Sequence, residues 1–152
     1  MVKEENFMNE AIRLAELAQK RNEVPVGAIL VDQDKKIIAR GYNLVEKNNN
    51  PTCHAEKIVI EKALRYTKKR YLENCDIWVT LEPCAMCSGL IKLTRIRRLY
   101  YGAEDKKGGA IENGARVFTN SNSKNNIEIY SGISSKKCED LIRNFFKKIR
   151  QN

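Results

Sequence analysis

Residues Ile77-Trp78-Val79-Thr80-Leu81-Glu82-Pro83-Cys84-Ala85-Met86-Cys87 decide how this chain folds. Ile77 to Leu81 reads as a short buried strand, Cys84 to Leu93 as a helix, and Arg98 to Tyr101 as a second strand. So short a strand–helix–strand unit admits only a right-handed parallel crossover. Downstream, a polar loop at Asn120 to Asn126 leads to a last short strand at Ile127 to Tyr130. Leu141, Ile142, Phe145, Phe146 and Ile149 then give a final helix an apolar stripe. Upstream, Phe7, Ala11, Ile12, Leu14, Ala15 and Ala18 recur at helical spacing, which predicts a helix over residues 3 to 20. Val24 to Val31 and Lys36 to Gly41 form a hairpin around Asp32-Gln-Asp-Lys. After Asn50-Pro51-Thr52 a helical pattern runs through Ile58, Val59, Ala63 and Leu64, with Asn50 or Thr52 as its cap. The order αββαβαβ(β)α implies a mixed sheet of about five strands with helices on both faces, a three-layer α/β/α arrangement. Ligands of such sheets lie outside the carboxyl ends of the strands.

The 152 residues fit one domain, 1–152. With 42% apolar and 31% charged residues, the chain can bury a core and is neither a disordered tail, a collagen-like repeat nor a coiled coil. Its longest apolar stretch, Val24 to Val31, is interrupted by Pro25 and Gly27 and falls far short of the roughly 20 residues that cross a bilayer. The start, Met1-Val-Lys-Glu-Glu-Asn, shows no signal-peptide core, so a cytoplasmic location is expected. Five cysteines are an odd number for a disulfide framework, and two form a C-x-x-C, so the thiols are read as reduced or metal-bound. A net charge of +9 favours a polyanionic partner. Much of that excess lies near the end of the chain, in Lys136, Lys137, Arg143, Lys147, Lys148 and Arg150.

His54 is the only histidine. Glu56 follows two positions later, and Pro83-Cys84-Ala85-Met86-Cys87 follows further on. Together they make H-x-E…P-C-x-x-C, a spacing that suits Cys/His zinc binding at two helix starts. Cys84 and Cys87 share one side of a helix's first turn, whose N–H groups and dipole favour thiolates. His54 and Glu56 would diverge in mid-helix but can converge above a helix end. Structural zinc sites are almost always closed by four protein ligands, and here there are three. Cys53 would have to turn sharply to join them, Cys75 lies about 17 Å back along a strand, and Cys138 opens a distant helix. The fourth position is therefore left to water, which makes the zinc catalytic. Zinc with two thiolates is formally neutral and acidifies water less than a three-histidine site would. A carboxylate that is not a ligand must share the proton, and Glu56 is placed to do so.

His54-Ala55-Glu56 and Thr80-Leu81-Glu82-Pro83-Cys84-Ala85-Met86-Cys87 resemble the zinc-dependent cytidine-deaminase-like fold, and within it the bacterial tRNA-specific adenosine deaminases. The resemblance extends to Val24–Val31, Asn43, Gly102-Ala-Glu-Asp105, Lys107-Gly108 and Asn144-Phe-Phe146, nearly the whole chain. It implies hydrolysis of adenosine to inosine at the wobble position, position 34, of a tRNA anticodon stem-loop, by a homodimer with one zinc per chain. It also implies that His54, Cys84 and Cys87 hold the zinc and that Glu56 shuttles the proton. Asn43 would contact the flipped nucleoside, Val26 would wall the base pocket, and Ala55 would offer its main-chain N–H to the base. Loss of the Asn43 side chain is then expected to leave stability little changed. Lys57 stands where the family is usually apolar, and reads as exposed or RNA-facing. For the RNA itself the candidates are Lys147, Lys148 and Arg150 of the last helix, with Lys106, Lys107 and Arg70 behind them. The competing readings are a deaminase of free cytosine, cytidine or guanine, and a zinc-stabilised RNA-binding module without catalysis.

Overall fold

In the computed structural model, which describes residues 2–119 and 127–151 (residues 2–5 by backbone only), the apolar positions expected to share a helix face do so. The loop expected at Asn120 to Asn126 lies outside the described residues. Helix α1, Val2–Lys20, turns Met8, Ala11, Leu14, Ala15 and Ala18 inward. Strands β1, Gly27–Val31, and β2, Ile37–Tyr42, form the antiparallel hairpin, with Gly27 opposite Tyr42. Asp32 Oδ1 closes its turn by accepting from the Asp34 and Lys36 N–H groups. The strand begins at Gly27 and not at Val24, because Pro25 has no N–H to donate and the Val26 N–H turns back to the Val24 carbonyl.

Beyond β2 come helix α2, Ala55–Thr67, strand β3, Asp76–Leu81, helix α3, Ala85–Leu93, and strand β4, Arg98–Ala103. Strand β5, Glu128–Tyr130, and helix α4, Ser135–Gln151, complete the expected order. The sheet runs β2-β1-β3-β4-β5; β1 is antiparallel to both its neighbours, while β3, β4 and β5 are parallel. Alternation along β1 sends Ala28 and Leu30 to one face, against Val59 and Ile60 of α2 and Ile91 of α3. Ile29 and Val31 go to the other, against Met8 and Leu14 of α1 and Cys138 of α4. A strand covered on both faces is apolar throughout, which is why β1 and most of β3 read as continuous hydrophobic runs.

Helix α1 lies directly on the β1 backbone: a Cβ at Gly27 would sit 2.1 Å from the Ala11 carbonyl oxygen, so that position has no room for a side chain. The stripe of α4 divides. Cys138 and Phe145 are buried, whereas Phe146 and Ile149 are 42% and 53% exposed. Among the described residues no helix is long and apolar enough to cross a membrane. The registers Gly27↔Tyr42, Ala28↔Val79 and Leu81↔Ala103 bring four chain segments to one end of the sheet. Val26, Asn43, Glu82 and Glu104 emerge there, and helices α2 and α3 begin there.

Candidate metal centre and cleft

Asn43 follows β2 directly, and the chain then loops to His54. The loop is held by main-chain bonds such as Leu44 N–H to the Cys53 carbonyl, and by Glu23, whose two carboxylate oxygens accept from the Glu46 and Lys47 N–H groups at 2.9 Å. Asn50 does not cap α2. Its Oδ1 closes a local turn by accepting from the Thr52 N–H and hydroxyl at 2.9 and 2.7 Å, which occupies both expected cap residues. The N-cap is His54, in an extended conformation and with no side-chain cap bond of its own. The cap comes from the end of β2: Asn43 Oδ1 accepts from the buried Ala55 N–H at 2.8 Å. The His54 imidazole is thereby free to point away from its own helix.

It points at the start of α3. Cys84 is that helix's N-cap and Cys87 lies in its first turn, and His54 Nδ1 is 3.6 Å from each sulfur. These three ligand atoms all lie within 4.8 Å of one another, a group able to hold a metal ion. A tetrahedral ion with Zn–S of about 2.3 Å and Zn–N of about 2.0 Å would set its nitrogen and sulfur ligands about 3.5 Å apart. The donor set therefore fits zinc in kind and in spacing. Cys84 is held down to about 4 by a hydrogen bond from the Cys87 thiol and then by His54, against the effect of burial. Cys87 is pushed up, first by the sulfur of Cys84 and then by burial. His54 is raised, chiefly by its hydrogen bond with Cys84, and the Pro51 main chain bonds the same ring. Cys53, Cys75 and Cys138 stand outside the group. Cys75 lies just before the far end of β3, and Cys138 packs against the position of Gly102.

Glu56, one residue into α2, is buried beside the ligands without being one of them. Burial pushes its carboxyl up to about 7, while its own N–H and His54 pull the other way. It lines a cleft of about 360 Å³ walled by Val24, Val26, Asn43 and Leu81, with Phe145, Phe146 and Ile149 of α4 at its mouth. Expected residues Val26 and Asn43 are thus on the cleft wall. Ala55 differs: it is fully buried, and its N–H is already bonded to Asn43 Oδ1. Lys57 faces neither solvent alone nor the cleft; its Nζ bonds Thr52 Oγ1 at 3.2 Å and pairs with Glu61 at 3.6 Å.

The expected cations separate into two groups. Lys147, Lys148 and Arg150 are exposed on the same end of α4 as Phe146 and Ile149. Lys106 and Lys107 line a groove between the 104–108 segment and α4, and Asp105 and Phe146 border both that groove and the cleft. Arg70 is excluded. It lies with Asp32 and Cys75 at the opposite end of the sheet, because β1 leaves that end at Val31 where β3 enters it at Asp76.

Two acids escaped the sequence reading, Glu23 and Glu82. Both are buried, and both accept main-chain N–H groups of loops that border the cleft. For Glu82 a signal was present. A carboxylate two residues from a thiolate ligand is an unfavourable neighbour unless its charge is satisfied elsewhere.

Residues 1–103 match the family described as the cytidine and deoxycytidylate deaminase zinc-binding region. The chain is 48% identical over 144 residues to a tRNA-specific adenosine deaminase of Rickettsia bellii, covering 94% of this chain and 99% of that protein. It is 42% identical over 150 residues to one of Agrobacterium fabrum, covering 99% and 98%. Among solved structures it resembles one from a study of A-to-I editing by tRNA:A34 deaminases at the wobble position of transfer RNA. That likeness has a TM-score of 0.85 at 43% identity, over 90% of this chain and 98% of the other.

The Asn43–Ala55 bond reverses one expectation. Asn43→Ala leaves a buried N–H without a partner, so it should lower unfolding stability by about 1–3 kcal/mol. Chemical denaturation of the zinc-loaded protein reads this directly, and an unchanged midpoint and slope would contradict the capping role.

Proposed function

The chain belongs to the tRNA-specific adenosine deaminase family of zinc deaminases, and on that premise we propose that it hydrolyses adenosine to inosine at wobble position 34 of a tRNA anticodon. The observation that carries the reading is Glu56, buried at the ligand group yet not a ligand, on the wall of a cleft that reaches the surface.

Zinc held by His54, Cys84 and Cys87 supplies the Lewis acidity that makes water a nucleophile near neutral pH. The rest of the chemistry falls to the chain. As the water oxygen bonds to C6 of adenine, Glu56 takes the released proton and passes it to N1. Glu56 then carries a second proton to the exocyclic nitrogen, which leaves as ammonia while C6 becomes a carbonyl. Val24, Val26 and Leu81 keep bulk water from the ring, and the Asn43 amide, turned by its bond to Ala55, presents its N–H₂ to the nucleoside.

Two features favour RNA over a free base. The cleft does not close over a small molecule; its mouth carries exposed Phe146 and Ile149, and apolar rings there suit unstacked bases. Cations flank that mouth on both sides: Lys147, Lys148 and Arg150 on α4, and Lys106 and Lys107 on the neighbouring loop. A base must leave its stack to reach the zinc, and phosphate contacts hold the loop while it does. A module that only bound RNA would have no use for a buried acid beside an incomplete ligand set. The enzyme acts in the cytoplasm as a homodimer in this reading; Met86 and Leu93, 36% and 73% exposed on α3, offer apolar surface for a second copy.

Purified protein incubated with an anticodon stem-loop should yield inosine, by base analysis of the digested RNA. Glu56→Gln should keep its zinc and lose at least about 10²-fold in turnover, as for loss of a general base; a near-normal rate would make Glu56 structural. Salt dependence tests the partner. Replacing Lys147, Lys148 and Arg150 together by Gln should flatten the slope of log affinity against log salt by at least about one unit, since each phosphate contact contributes roughly 0.7 to 0.9. An unchanged slope would remove these three from the RNA surface.

A further inference from the structure

The segment from residue 104 to residue 113 has neither helix nor strand; its first half, Glu104 to Gly108, walls the groove beside α4, and Asp105 also lines the cleft. Its shape converges on one carboxylate. Glu82 Oε1 accepts from the Asp105 N–H at 3.0 Å and from Asn113 Nδ2 at 2.9 Å. Glu82 Oε2 accepts from the N–H groups of Ile111, Glu112 and Asn113 at 3.0, 3.0 and 3.2 Å. Both ends of the segment are therefore tied to the same buried group. At Gly109 the backbone passes so close that a Cβ would lie 2.4 Å from the Glu82 carboxylate.

An apolar anchor would hold a loop to the core without burying a charge. A carboxylate does something an apolar group cannot: it orients five N–H groups toward one point before any substrate arrives. The point is also registered against the metal. The Glu82 N–H bonds the Ala103 carbonyl, the Pro83 carbonyl accepts the Ala110 N–H, and the next residue is Cys84. Within three residues the chain fixes the zinc helix and the opposite wall to each other. We infer that Glu82 is a positioning residue for substrate: it holds the 104–113 wall, with Asp105, Lys106 and Lys107, at the place where the RNA flanking the reacting base must lie. The inference rests on the RNA reading given above.

Glu82→Gln keeps the size of the group but sets an amide N–H₂ against N–H donors. With the zinc-loaded protein and an anticodon stem-loop, KM should rise roughly tenfold, about what one charge-assisted hydrogen bond is worth, with kcat little changed. Zinc should stay at one per chain, and amide hydrogen exchange at Asp105, Ile111, Glu112 and Asn113 should quicken. Asn113→Ala removes a single donor from the same carboxylate and leaves the zinc helix untouched, so it should move KM the same way by less, even if Glu82→Gln folds poorly. Faster exchange with an unchanged KM in both variants would overturn the positioning role and leave Glu82 a purely structural clamp. Absence of inosine from the unaltered protein would instead overturn the RNA reading, and the positioning role with it.

Discussion

Three ligand atoms have to meet within a few ångströms, and the chain delivers them from two helix starts thirty residues apart. His54 Nδ1 can stand 3.6 Å from both Cys84 and Cys87 only if α2 and α3 begin at the same place. The sheet order arranges this. β2 and β3 are not neighbours, but each is antiparallel to the β1 strand between them, so both finish at the same end. Both following helices then pack on one face of the sheet, against Ala28, Leu30, Ile77 and Val79. A one-residue slip of β1 would exchange the side chains that meet α2 and α3 with those that meet α1 and α4. A helix whose N-cap side chain serves as a ligand must also find its cap elsewhere. For α2 that cap is Asn43, which ties the cleft wall to the metal helix through one hydrogen bond.

Three buried glutamates surround the cleft, and their surroundings separate their roles. Glu23 and Glu82 spend their oxygens on main-chain N–H groups. For Glu82, burial alone would raise the carboxyl, but bonds from Asp105, Ile111 and Asn113 outweigh it and hold the group below the usual carboxylate range. Glu82 stays ionised, and both acids shape loops. Glu56 has no such cradle, and burial lifts it to about 7. In the proposed mechanism the acid without a cradle is the one that moves protons.

Periodicity carried the elements. The helical spacing of Met8-side residues such as Ala11 and Ala15, the doubly buried runs of β1 and β3, and the short crossover through α3 each have one physical solution, and the elements follow the expected order along the chain. The ligand set was legible because residue type and spacing together leave few alternatives. What the sequence did not disclose depends on partners distant in the chain. Asn50 has the right chemistry for a cap, but its local turn wins because Thr52 lies two residues away. Asn43 serves the helix instead, across twelve residues. The apolar stripe of α4 did not by itself separate core from cleft; Phe145 is buried, whereas Phe146 and Ile149 are exposed where they line the cleft. That Arg70 lies apart from the cleft became legible only once strand direction placed it at the opposite end of the sheet.

The central claim is that two helix starts build a three-ligand zinc site with one position open to solvent. Zinc-edge X-ray absorption on the zinc-loaded protein tests it most directly. Two sulfurs at about 2.3 Å and two lighter scatterers at about 2.0 Å are the expected shell. Three or four sulfurs would mean that Cys53 or another cysteine closes the site, and would contradict a catalytic centre built in this way.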